Sequence, residues 1–122
     1  MFEVGATARF VAFHRMPSQP PPEDERHPHG YRVEVVAERH DLDARGMVCD
    51  LDIVMSALAD ITTRIGDRDL EDVVSAKEVT VEVLAGWIHT QLAPKLKSDG
   101  AESLAVRVWE SEDAFGGIHA AL

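Results

Sequence analysis

Glu23-Asp24-Glu25-Arg26-His27-Pro28-His29-Gly30-Tyr31-Arg32-Val33-Glu34-Val35-Val36 runs from a block of charge into a strand. His27, His29, Tyr31, Val33 and Val35 fall on one side of an extended backbone, with Arg32, Glu34 and Glu38 on the other. This is the two-residue period of a half-buried strand, so both imidazoles point to its apolar side. Upstream, Phe2, Val4, Ala6, Ala8, Phe10, Ala12 and His14 share one parity, and Glu3, Thr7 and Arg9 take the other. Between the two strands Pro17, Pro20, Pro21 and Pro22 precede the charged block, a composition that cannot continue a strand or start a helix. Antiparallel pairing across that loop brings His14, His27 and His29 to one face.

Farther along, the His40–Gly46 segment reads as a turn. From Asp50 the period changes: Leu51, Val54, Leu58, Ile61 and Ile65 recur at three- and four-residue steps, the stripe of an amphipathic helix. Asp50 or Asp52 can cap its start and Gly66 its end. Residues 67–78 read as an acidic connector. Thr80 then caps a second helix with Val81, Leu84, Ile88 and Leu92 buried and Pro94 beyond its last turn, although Ser75-x-x-Glu78 also matches a capping box. A third strand covers Ser103–Glu110, and residues 114–121 read as a weaker fourth strand interrupted by Gly116-Gly117. The expected order is ββααββ, an α+β fold with an antiparallel sheet.

At 122 residues the chain fits a single domain, 1–122, with one hydrophobic core. Hydrophobic residues at 45% and charged residues at 28% argue against a disordered chain. Apolar runs fall far short of the ~20 residues that cross a bilayer. The start Met1-Phe2-Glu3 does not read as a signal peptide, so a cytoplasmic protein is expected. A net charge of −10 disfavours nucleic acid and anionic membrane as partners. A single cysteine, Cys49, excludes an intrachain disulfide and a Cys-rich zinc cluster. Any bound metal therefore needs histidine and carboxylate ligands, and Cys49 reads as a small packed thiol.

Three neutral imidazoles with an open fourth position form the ligand set of a catalytic zinc site, which makes His14, His27 and His29 candidate ligands of Zn2+. The same residues also fit a plainer reading, with His27 and His29 solvated in a loop and His14 satisfied by backbone.

Phe13-His14-Arg15, His27-x-His29-x-Tyr31-Arg32-Val33-Glu34-Val35 and Gly46-Met47-Val48-Cys49-Asp50-Leu51 are followed by Val79-Thr80-Val81-Glu82-Val83-Leu84-Ala85 and Trp109-Glu110-Ser111. In this order, over almost the whole chain, they resemble the 6-pyruvoyltetrahydropterin synthase family, which includes the 6-carboxytetrahydropterin synthases. The resemblance implies the tunnelling fold, in which ββααββ subunits join through their sheets into a barrel as a homo-oligomer, a trimer or hexamer. It implies zinc on His14, His27 and His29, and a pterin anchored by Glu110, whose carboxylate can accept two parallel hydrogen bonds from the ring.

The chain departs from that pattern in its proton-transfer groups. The family's cysteine, four residues before the His-x-His pair, is replaced by Glu23. The family's Leu-Asp-His-x-x-Leu-Asn corresponds to Ile65-Gly66-Asp67-Arg68-Asp69-Leu70-Glu71, with Gly66 at the aspartate and Asp67 at the histidine. The resemblance extends to a variant class with glutamate at the cysteine position, associated with removal of the dihydroneopterin side chain. The expected activity is thus a zinc-dependent lyase, of carbon–oxygen or aldolase type, acting on the side chain of 7,8-dihydroneopterin or its triphosphate. Glu23 is the candidate base and Asp67 a second catalytic candidate. A carboxyl with an ordinary pKa near ~4.3 needs desolvation or crowding by other acids to work as a base near neutral pH. Arg9, Arg15, Arg26 and Arg68 stand near enough to the motif to be candidates for triphosphate. The alternative is a zinc- and pterin-binding homologue that has lost the lyase activity or acts on another heterocycle.

Overall fold

The structure, a computed structural model, describes residues 1–122. Two long strands, β1 (Phe2–His14) and β2 (His27–Arg39), lead into the helices α1 (Leu51–Ile65), α2 (Leu70–Val74) and α3 (Val81–Ser98). Two shorter strands, β3 (Ser103–Trp109) and β4 (Phe115–Ala121), complete one antiparallel sheet in the order β1-β2-β3-β4. Helices α1 and α3 contact this sheet and each other. No helix is long and apolar enough to cross a membrane.

The strand parities hold. Phe10, Ala12 and His14 of β1 and Tyr31, Val33, Val35 and Ala37 of β2 are buried, and Phe10 stacks on Tyr31 at 5.2 Å. Helix α1 buries Val54, Ala57, Leu58, Ile61 and Ile65, while α3 buries Leu84, Ala85, Ile88, His89, Leu92 and Leu96. Leu51, expected in the α1 stripe, is exposed at the first turn. Of the two candidate caps it is Asp50 that accepts from the Asp52 N–H, at 2.9 Å. Its extended backbone (φ −70°, ψ 120°) is the conformation an N-cap requires.

Three expectations are corrected. The acidic connector contains α2, which is anchored by fully buried Leu70 and ends at Ser75 in the left-handed conformation (φ 58°). The order is therefore ββαααββ, and Ser75-x-x-Glu78 is not a capping box. Thr80 does cap α3, accepting from the Val83 N–H at 3.1 Å. Pro94 lies inside α3, because fully buried Leu96 holds the final turn to the core, a contribution of about 1.5–3 kcal/mol. The Asp99 and Ala101 amides close that end on the Lys95 and Leu96 carbonyls. Finally, Glu110 lies just past β3, with its N–H donating to the Ala114 carbonyl at 3.3 Å.

The glycine pair that weakens the β4 pattern has a steric reason. A Cβ on Gly116 would stand 2.6 Å from both Val81 Cγ2 and Glu82 Oε1, so β4 passes directly beneath the start of α3 only without a side chain there.

Candidate metal centre

The β1–β2 register places His14 opposite His27 and Ala12 opposite His29. Even positions of β1 and odd positions of β2 face the helices, so all three rings emerge on that face at one end of the strand pair. Ring centroids are 4.5 Å (His14–His27), 4.9 Å (His14–His29) and 5.0 Å (His27–His29) apart. One ligand nitrogen from each lies within 4.8 Å of the others, close enough for a single ion to gather them after small ring rotations.

Hydrogen bonding prepares two of the rings for that role. His14 Nδ1 is 2.9 Å from the Val79 carbonyl, and His27 Nδ1 is 2.8 Å from the Glu25 carbonyl. A carbonyl can only accept, so Nδ1 carries the proton in both rings and Nε2 offers its lone pair. His14 Nε2 is buried with no protein partner. An orphaned imidazole nitrogen beside two further imidazoles fits a zinc ion, and an Nδ1–H bond to a carbonyl is the usual outer support of such a ligand. Burial, then the nearby His14, hold the His29 pKa below the ordinary histidine value, against the opposing pull of Glu110. Both causes favour the neutral ring that a metal requires.

The rings open into a cleft of ≈ 290 Å³. Its wall adds Met16, Gln19 and Glu23 from the β1–β2 loop, Thr80, Val81 and Glu82 from the start of α3, and Glu110. The metal candidates, Glu23 and Glu110 thus come together within one chain, and no lysine or arginine joins them. Beside His29, Tyr31 is pushed to a higher pKa by burial first and by Glu110 and Glu71 after it, so its phenol stays protonated.

Asp67 is not brought to this cleft within the chain. It follows Gly66 in the left-handed conformation (φ 59°), exposed, with its N–H on the Val11 carbonyl at 2.6 Å. The four arginines are also elsewhere: Arg26 pairs with Asp69 at 2.5 Å and lies over the Phe13 ring, and the Arg15 Nε donates to the Asp24 carbonyl at 3.3 Å. Arg9 lines a larger concavity, ≈ 650 Å³, with Arg32 and Trp109, which holds no group of metal-ligating side chains. Arg68 is exposed, and its carbonyl accepts from the Phe13 N–H. Cys49 is 2% exposed, and burial followed by Asp99 and Asp50 raises its pKa, which keeps it a packed thiol.

Sequence reasoning did not single out Glu82 or the support given by the connector. Glu82 sits in a helix first turn, where an acid is expected in any case, and only the folded chain shows that it lines the cleft. The connector acids reach residues dozens of positions away, for which spacing gives no signal.

A sequence model described as 6-pyruvoyl tetrahydropterin synthase matches residues 3–119. The chain belongs to the 6-pyruvoyl tetrahydropterin synthase family. Solved structures agree on the fold. A Plasmodium falciparum 6-pyruvoyl tetrahydropterin synthase superposes with a TM-score of 0.80 at 16% identity, over 99% of this chain and 98% of that one. A Plasmodium vivax 6-pyruvoyltetrahydropterin synthase, carrying cysteine in place of a glutamate described as its catalytic residue, gives 0.81 at 14% identity over the same shares. The Caenorhabditis elegans 6-pyruvoyl tetrahydropterin synthase gives 0.70 at 18%, over 98% of this chain and 95% of that one. A search of curated proteins returns no match.

Proposed function

We propose that this chain is a zinc-dependent pterin-processing lyase acting on the side chain of 7,8-dihydroneopterin or its triphosphate, with Glu23 as the base. The observation that carries the reading is the meeting of His14, His27 and His29 with Glu23 and Glu110 around one cleft. Bound by the three imidazoles, zinc would supply Lewis acidity to the side-chain oxygens of a substrate. Glu110 accepts the paired N–H groups of the pterin ring and so fixes which side-chain atoms face the histidines. On dihydroneopterin, Glu23 takes the proton of the hydroxyl on the second side-chain carbon as the bond between the first and second carbons breaks; glycolaldehyde leaves, and the proton goes to the carbon left on the ring. A glutamate in a catalytic role has a precedent in the Plasmodium vivax relative, in which a glutamate is the catalytic residue. Glu23, Glu82 and Glu110 make the wall acidic, which favours the uncharged side chain of dihydroneopterin over its triphosphate. Asp67 lies outside its own chain's cleft, so the reading gives it a role only where a homo-oligomer brings it to the cleft of a neighbouring copy.

The test is purification, metal analysis and incubation with dihydroneopterin and with its triphosphate, followed by product identification. The reading expects about one zinc per chain and consumption of a pterin. Glu23→Gln is expected to keep the zinc and lose turnover by at least about a hundredfold; full activity in that variant would remove Glu23 from the mechanism. Replacement of the family's Asp-His pair by Gly66 and Asp67 favours a second reading, a zinc- and pterin-binding homologue without lyase activity. It expects neither pterin to be consumed, but pterin to bind and Glu110→Ala to abolish binding.

A further inference from the structure

We infer that Glu78 is a positioning residue, which ties the β1–β2 loop to the connector through Ser18 and thereby keeps Glu23 in the cleft. The inference rests on the reading of Glu23 as base.

The loop of residues 15–26 contains no helix or strand, only turns. Within it, the Met16 N–H donates to the Glu23 carbonyl at 2.9 Å and the Gln19 N–H to the Met16 carbonyl at 2.9 Å, so the backbone of Glu23 is fixed relative to residues 16–19. That short section is in turn fixed from outside by a single side chain. Glu78 Oε1 accepts from the Ser18 N–H at 2.5 Å, and Oε2 accepts from the Ser18 hydroxyl at 2.8 Å. The next residue, Val79, holds the His14 ring through its carbonyl. Glu78 and Val79, adjacent at the end of the connector, therefore hold the loop that carries the acid and the His14 ring. Glu71 and Asp69 hold the loop's two ends, on the Arg15 N–H and the Arg26 guanidinium. Only Glu78 reaches its middle. The two Ser18 bonds hold the Glu78 carboxyl below the usual carboxylate range, consistent with a tether that is fully ionised at neutral pH.

The experiment uses the zinc-loaded 122-residue protein and compares wild type with Glu78→Ala, Glu78→Gln and Glu23→Gln. Amide hydrogen exchange across residues 15–26 is expected to speed up about tenfold in Glu78→Ala. Its kcat on dihydroneopterin is expected to fall about tenfold, with KM and zinc content close to wild type. Glu78→Gln retains an oxygen for the Ser18 N–H and is expected to recover most of both losses. Unchanged exchange in Glu78→Ala overturns the inference whatever the activity. Faster exchange with wild-type kcat overturns the positioning role while leaving Glu23 in place, provided Glu23→Gln is inactive. Loss of zinc in Glu78→Ala overturns it in favour of a general support of the metal site. A fully active Glu23→Gln, or a wild type that consumes no pterin, shows that the base assignment has failed, and this inference fails with it.

Discussion

His14 illustrates how its surroundings make one residue a candidate ligand. It is 4% exposed, and a buried imidazole with an unpartnered nitrogen is destabilising unless something occupies that lone pair. His14→Ala is therefore expected to lower zinc content to well under half an equivalent, measured by atomic spectrometry on the purified protein, with the sheet retained by circular dichroism. Glu78 gives a prediction in pH. Its folded-state pKa is depressed, so the stabilisation from its Ser18 bonds is fully present above the unfolded carboxyl pKa and is lost as pH falls through the folded value. The difference in melting temperature between wild type and Glu78→Gln should be constant near about pH 6 and shrink toward about pH 3. A difference that grows on acidification would contradict the sign. Glu23 was legible only as a position, because its use depends on where a proline-rich loop is tied.

At the scale of elements, the start of α3 governs the cleft. The Thr80 cap, the Val79 carbonyl and the passage of β4 at Gly116 fix where Val81 and Glu82 stand. Gly116→Ala is expected to push these side chains aside and destabilise by about 1–3 kcal/mol, read from chemical denaturation, with a loss of pterin affinity. Leu92, fully buried in α3, is expected to cost about 2–5 kcal/mol as alanine. Most of the elements could be read from period alone. The exceptions were short or conflicted: α2 has five residues, too few for a periodic signal, and Pro94 opposes a helix that the burial of Leu96 keeps intact.

For the whole molecule, β1 and β4 are open edges of the sheet. They carry Phe2, Val11, Phe115 and Ile118, four of the large apolar side chains left exposed. Open edges of this kind invite pairing with another chain. Sedimentation equilibrium at micromolar concentration is expected to give a trimer or hexamer. A stable monomer would leave these edges bare and Asp67 without a cleft to serve, and would count against the assembled site.

The sequence by itself determined the strand faces, the two long helices and the histidine triad, because side-chain alternation and helical period are local properties that burial on one face enforces. It also showed Glu23 four residues before the His-x-His pair, where the resemblance to the family implies a cysteine. Tertiary structure alone decided that the acidic connector is a brace and not a solvated linker. Asp69, Glu71 and Glu78 find partners 43 to 60 residues away, and only the folded β1–β2 loop brings those donors within hydrogen-bonding distance.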